Sequence, residues 1–233
     1  MIGYPTRIRM NSHALTRLLM SLFVVLLGIL DLSCSKQKEG AGVLSQKEAL
    51  SEPFADGVFS EVVEEVILKK MELVTKTIAL NPLVISTVTE SNKKNKRLSL
   101  AEIKKLDADW MNAVEVNEYI QDFMNNKCAQ LLLRLQETGH GFSEIFITDI
   151  KGLNVAMTNK TSDYYQADEA WWLESFDNGR GKTYHGDVEY DESAMSEAIP
   201  IFIPLKTPDL SETIGIMKVV VDITEIKMEL TDN

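Results

Sequence analysis

A chain of 233 residues with 35 Asp and Glu against 24 Lys and Arg carries a formal charge of −11 at pH 7. An acidic surface repels phosphate backbones, which argues against nucleic acid as a partner. The length suits one main domain, which at this size buries roughly 70% of its unfolded surface.

Residues 1–33 have the pattern of an export signal and are set aside from the fold. Arg7, Arg9 and Arg17 make a positive start, and 18–30 is an apolar run broken only by Ser21 and Gly28. Crossing a bilayer takes about twenty such residues, so the run fits a signal-peptide core better than a stable span. It ends in Leu30-Asp-Leu-Ser-Cys34, which resembles the lipobox of bacterial lipoproteins, with Asp31 in the place of the usual Leu. The resemblance implies that Cys34 is lipidated and anchors the chain in the bacterial cell envelope, facing the periplasm. Ser35 at the next position is compatible with passage to the outer membrane. An uncleaved short anchor and ordinary cleavage are the alternatives, and both place the domain outside the cytoplasm. With Cys34 lipidated, Cys128 has no partner for a disulfide, and its apolar helical surroundings predict a small buried hydrophobe.

Residues 34–53 are polar and aperiodic and read as a tether; the domain is expected over 54–225, with 226–233 as a tail. Phe59, Val62, Val63, Val66, Ile67, Val74 and Ile78 follow the spacing of an amphipathic helix. Asn81-Pro82 ends or kinks it, since Pro lacks the amide donor. The basic run Ser91-Asn-Lys-Lys-Asn-Lys-Arg97 reads as a solvated loop. Ser99 and Glu102 have capping-box spacing, and helix follows through Leu100, Ile103, Leu106 and Trp110. After a break near 112–117 it resumes through Ile120, Phe123, Leu131 and Leu135 and stops at Gly139 and Gly141.

The period then changes from helix to strand. Glu144-Ile-Phe-Ile-Thr-Asp149, a turn at Ile150-Lys-Gly152 and a return from Leu153 to Thr158 predict a hairpin. The segment 161–172, Thr-Ser-Asp-Tyr-Tyr-Gln-Ala-Asp-Glu-Ala-Trp-Trp, follows, with a short helix capped by Asp163. Three further strands are expected at 182–190, 197–204 and 212–223. The fold class is α+β: long N-terminal helices packed on a single PAS-like five-stranded antiparallel sheet.

The 161–172 segment places two Tyr, two Trp and three carboxylates within twelve residues. Ring quadrupoles and negative charge both favour a cation, so the segment reads as a binding site for a small positively charged ligand. For part of it a core role competes: one Trp fills the interior, and Asp168 and Glu169 suit a helix start. No Ser or Cys nucleophile has an evident base, so the chain reads as a binder and not an enzyme, with no cofactor implied. Asp187, Glu189 and Asp191 alternate, but Glu192 and Ala198 stand where an EF-hand loop needs Gly and Glu, so no metal site is expected. Gly181-Lys-Thr183 lacks the upstream Gly of a P-loop, and His140 and His185 read as exposed loop or edge residues.

In strand order and in particular residues the chain resembles the extracellular PAS-like sensors called Cache or PDC domains. Those residues are Phe146-Ile-Thr-Asp149 with Gly152, Thr161-Ser-Asp-Tyr-Tyr, Asp168-Glu-Ala-Trp-Trp172, Asp191 with Ser193, 201–204, and Ile214-Gly-Ile-Met. With one sheet in view, a single-Cache arrangement is implied. The resemblance implies a ligand-binding sensor role, with a membrane receptor or kinase as partner, because the chain carries no effector after 223. Amino-acid-binding members hold the ligand carboxylate with an Arg before a Trp-Tyr pair, and its ammonium with a downstream Asp. Here Asp168 and Glu169 stand near the Arg, Trp171 and Trp172 match the pair, and Tyr164 or Tyr165 the earlier Tyr. Tyr190 and Asp191 match the downstream pair, and Tyr184 completes the expected ligand-binding set. Losing the Arg implies a small amine or other cation with Asp191 and Asp168 as counter-ions. A carboxylate held by Arg180 or Lys182 is the runner-up, and an envelope interaction module with a vestigial pocket is the alternative of a different class.

Overall fold

A computed structural model describes residues 61–191 and 196–226. The leader, Cys34, the tether, the first residues of the expected domain, Ser193 and the tail after 226 lie outside the described residues. In chain order the elements are α1 (Glu61–Val74), a π-helical turn (Thr75–Ala79), α2 (Pro82–Asn95), α3 (Leu100–Met111), α4 (Glu118–Asn125) and α5 (Lys127–Thr138). They continue with β1 (Phe142–Thr148), β2 (Asn154–Met157), α6 (Ala170–Phe176), a 3-10 turn (Asp177–Gly179), β3 (Tyr184–His185), β4 (Glu189–Asp191), β5 (Ser196–Lys206) and β6 (Thr213–Asp222).

The helix boundaries follow local chemistry. Asn81 caps α2 by accepting from the Leu83 amide at 3.0 Å, and Pro82 occupies the first helical position, where its missing donor costs nothing. Ser99 and Glu102 form the expected capping box at the start of α3. Asn117 caps α4. One break was not anticipated: the helix expected to run from Ile120 to Leu135 divides at Asn126. Its side chain accepts from the Ala129 amide at 2.9 Å and donates to the Val155 carbonyl at 3.0 Å, so it starts α5 and ties it to β2.

The strands form one antiparallel sheet in the order β2-β1-β6-β5-β3, with β4 also paired to β5. This is the expected α+β, PAS-like sheet, except that the third expected strand is broken into β3 and β4. The cause lies in its neighbour. β5 carries Pro200 opposite the break, where its absent amide removes a ladder donor, and Pro204 opposite the residues just before β3. Gly186 N still donates to Pro200 O at 2.8 Å, but pairing fails between Gly186 and Val188. A Cβ on Gly186 would come within 2.9 Å of the Pro200 ring.

Alternation along the strands separates two cores. Ile145 and Ile147 of β1, Ile199, Ile201, Ile203 and Leu205 of β5, and Met217, Val219 and Val221 of β6 are buried with Val63, Ile67, Val84, Val88 and Leu132 of α1, α2 and α5. On the opposite face Phe146, Leu153 and Met157 are buried with Ile103, Trp110 and Ile120 of α3 and α4, and with Tyr164. Helices therefore cover both faces of the sheet. Full burial of each aliphatic side chain is worth about 1.5–3 kcal/mol, so the first, larger cluster dominates stability. Cys128 is a free thiol, 1% exposed in that cluster.

Candidate functional site

The 161–172 segment is laid across the second face of the sheet and fastened at several points. Trp110 Nε1 donates to the Thr161 carbonyl at 2.9 Å, and Asn154 Nδ2 donates to Thr161 Oγ1 at 2.7 Å. The amides of Tyr164 and Tyr165 both donate to Asp107 Oδ1, at 2.8 and 2.9 Å. Gln166 N donates to the Gly152 carbonyl at 2.8 Å. Gly152 has φ +75°, and a Cβ there would lie 2.5 Å from Ala167, so only glycine allows this approach.

The expected site residues are not brought together into one pocket. Tyr164 is 4% exposed and packed on Trp110 at 5.3 Å and Phe123 at 5.5 Å, and burial pushes its phenol far above its usual range. Trp172 is buried, stacks on Phe176 at 4.8 Å and donates from Nε1 to Thr148 Oγ1 at 2.9 Å. Both are core residues. Asp168 and Glu169 face solvent. The expected helix start at Asp163 is also displaced: Asp163 holds the Gln166 side-chain amide, and α6 begins at Ala170 with Glu169 in the N-cap position without a side-chain cap bond. Burial pushes the Asp163 carboxyl up. Tyr165 is half-buried. Asp191 lies in β4, but its side chain is outside the described residues.

Trp171, Tyr184 and Tyr190 do lie over the sheet. Trp171 stacks on Phe202 at 5.1 Å, with the planes 15° apart, and meets Phe146 edge-on at 5.9 Å. The Tyr184 ring leans on Phe202 at 4.8 Å, and its hydroxyl donates to the Trp171 carbonyl at 3.0 Å. Burial first, then the nearby Glu174, pushes this phenol up to about 12. Cations over this cluster belong to the chain itself: Lys218 Nζ sits 5.3 Å above Trp171 and 5.9 Å above Phe146, and Lys182 Nζ 4.9 Å above Tyr184.

Beside that cluster is a cavity of about 350 Å³. Its floor is Glu144 of β1, Lys218 and Val220 of β6, and Ala198 and Pro200 of β5. Glu189 and the largely exposed Tyr190 form one wall, and Lys160, Thr161 and Ser162 cross above. Two acidic and two basic residues thus line one concave space, which suits a small charged ligand. A larger groove of about 860 Å³ lies between α2 and the β5–β6 turn, lined by Leu80, Pro82, Ile85, Thr89, Pro208 and Leu210 among others. It contains none of the aromatic segment, and only Glu90 and Lys93 bring charge to it. The smaller cavity is therefore the candidate site.

Sequence reading missed Lys218, Glu144 and Lys160. A signal for Lys218 was present, because it is the one charge inside the run Ile214-Gly-Ile-Met-Lys-Val-Val-Val221. It shares the Ile216 and Val220 side of β6, but which face that is depends on register. Arg180 and Lys182 are paired instead with Asp177 and Glu174, and both are exposed. His185, expected at an exposed edge, is partly buried, with Nε2 3.2 Å from Glu64 Oε1 of α1. Among the described residues no group of His, Cys, Asp and Glu has a metal-binding arrangement.

No family model matches the chain, and no curated protein matches it closely. Among solved structures it is similar to the sensor domain of the V. cholerae histidine kinase DctB, with 13% identity over 70% of this chain and a TM-score of 0.37. It is also similar to the ligand-binding domain of the Campylobacter jejuni chemoreceptor Tlp3 in complex with L-valine, with 14% identity over 72% of this chain and a TM-score of 0.34. A third is the ligand-binding domain of the Pseudomonas aeruginosa amino acid chemoreceptor PctC in complex with GABA, with 10% identity over 64% of this chain and a TM-score of 0.33. The aligned part spans 53%, 64% and 63% of those three chains respectively. These three solved structures are sensor and ligand-binding domains of a histidine kinase and of chemoreceptors.

Proposed function

We propose that this protein is a sensor-type small-molecule-binding protein of the bacterial cell envelope, tethered through a lipid on Cys34. It takes a small ligand in the cavity over β1, β5 and β6 and acts through a separate membrane receptor or kinase. The observation that supports this reading is the charge-lined cavity between the sheet and the segment 160–162. The ligand carries an ammonium group. Lys218 already covers the Trp171 face, so cation recognition falls to Glu144 and Glu189, where a charge-assisted hydrogen bond forms in a partly desolvated space. Asp168 and Glu169 face solvent and drop out of this role.

One observation favours a second reading, a carboxylate ligand: Lys160 and Lys218 line the same cavity. Calorimetry with matched amines and short carboxylates on wild type, Glu189→Gln and Lys218→Met separates the two. Amine binding lost in Glu189→Gln supports the first reading, and carboxylate binding lost in Lys218→Met supports the second. Absence of heat and of thermal stabilisation with every probe would leave an interaction module. Lipid labelling of wild type against Cys34→Ser tests the tether, and equal labelling would refute it.

A further inference from the structure

Six of the 24 Lys and Arg of this acidic chain, Lys93, Lys94, Lys96, Arg97, Lys104 and Lys105, fall within 93–105, against one acid, Glu102. All six are exposed, and none makes a side-chain ion pair or hydrogen bond among the described residues. Glu102 is occupied by the Ser99 amide and hydroxyl. Lys93 and Lys94 complement the C-terminal dipole of α2. That account does not reach Lys104 and Lys105 in the body of α3, nor Lys96 and Arg97 in the connection.

The run expected from sequence to be a solvated loop is instead helical through Asn95 and fastened by hydrogen bonds to the rest of the domain. Asn95 is buried and donates to Asp149 Oδ2 at 2.8 Å. Asn92 donates to the Ile214 carbonyl at 2.7 Å and accepts from the Ile150 amide at 2.9 Å. Lys151 Nζ donates to the carbonyls of Lys96 at 3.0 Å and Leu98 at 2.7 Å. The end of α2, the start of α3 and the β1–β2 turn therefore form one platform. It also presents two exposed aliphatic side chains, Leu100 (55%) and Ile150 (42%).

We propose that this platform docks on an anionic bilayer surface. The charge is complementary, and the composition selects lipid over protein. Protein–protein interfaces are depleted in Lys and anchored by aromatic residues, whereas this patch is five Lys and one Arg with two aliphatic residues and no ring. Clustered Lys beside a few apolar side chains is what anionic headgroups attract. The proposal is independent of the ligand in the cavity.

The test is lysine acylation, read by mass spectrometry, on the full chain reconstituted in vesicles of phosphatidylcholine alone or mixed with phosphatidylglycerol. Labelling of Lys94, Lys96, Lys104 and Lys105, relative to the exposed Lys69 of α1, should fall about threefold or more on the anionic vesicles. It should recover at 1 M salt, where the screening length drops to about 3 Å. Lys96→Glu with Arg97→Glu, both exposed and hence compatible with folding, should abolish the protection. Equal labelling on the two vesicle types overturns the proposal. So does protection that persists in the double variant, or an acidic protein that shields these lysines when the anionic vesicles do not.

Discussion

Adjacent tryptophans with opposite environments make a sharp comparison. Trp172 is 3% exposed, stacked on Phe176 and bonded to Thr148 Oγ1. Its truncation to Ala removes a fully packed ring and leaves a cavity, a change that costs about 3–5 kcal/mol. Trp171 is only partly buried; it gives up one stacked partner, one edge contact and the Lys218 ammonium. At about 0.5–1.5 kcal/mol for each of the two ring contacts and about 0.5–1 for the cation–π contact, its loss comes to about 1.5–4 kcal/mol. Against a typical total of about 5–15 kcal/mol, the first change is the larger threat to folding. In urea, with a slope of about 2 kcal/mol/M, the midpoint should fall by about 1.5–2.5 M for Trp172→Ala and by the smaller amount, about 0.75–2 M, for Trp171→Ala. Ligand binding to the folded protein should suffer only in Trp171→Ala, which removes the ring under the cavity residue Lys218. Equal midpoint shifts, or the larger one in Trp171→Ala, would refute the division of the pair into a core residue and a partly buried one.

Gly152 and Gly179 both have positive φ, but a Cβ meets Ala167 at 2.5 Å in the first and nothing nearer than 3.9 Å in the second. Gly152→Ala should therefore cost at least about 2 kcal/mol more than Gly179→Ala by denaturant unfolding, and equal costs would contradict the close approach. Hydrogen bonds from Thr207 and then Ser211 lower the Asp209 carboxyl to about 2. Because that value is depressed, its contribution is present above the ordinary carboxylate range and is lost as pH falls through the folded value. NMR titration should accordingly show the β5–β6 turn intact at pH 4 and loosening near pH 2, and Thr207→Val should move the midpoint up; an Asp209 midpoint near 4 in the wild type would contradict it. Burial raises the Cys128 thiol to about 12, so thiol reagents should modify it in the native protein only as fast as the domain opens; labelling as rapid as in denaturant would remove it from the core.

Much of the fold was legible because its signals are local. Ser99 with Glu102 and Asn81 with Pro82 act within one turn of chain, and the change of period after Gly141 needs no partner to be seen. The break at Asn126 was not legible, since that side chain is fixed partly by Val155 across the interface. Nor was the split of the third strand, which is set by Pro200 in the neighbouring strand and becomes visible only once register pairs Tyr184 with Phe202. The site was less legible than the fold. The aromatic segment was placed between the hairpin and the later strands, but residue types alone could not tell Trp171 from Trp172. Glu144 and Lys218 lie 74 positions apart in the chain, and only the β1–β6 pairing puts them on one cavity floor.

The proline pair in β5 has a consequence for motion. Amides missing at positions 200 and 204 leave the segment from Tyr184 to Asp191 attached through two short stretches of ladder, while β5 and β6 remain paired from Ala198 to Lys206. Local opening draws on the least-bonded parts of a structure. This segment, which supplies Glu189 and Tyr190 to the cavity, can therefore detach and reclose while the central strands stay shut. In hydrogen exchange its amides should be replaced by a route that does not pass through global unfolding, far ahead of those of β6.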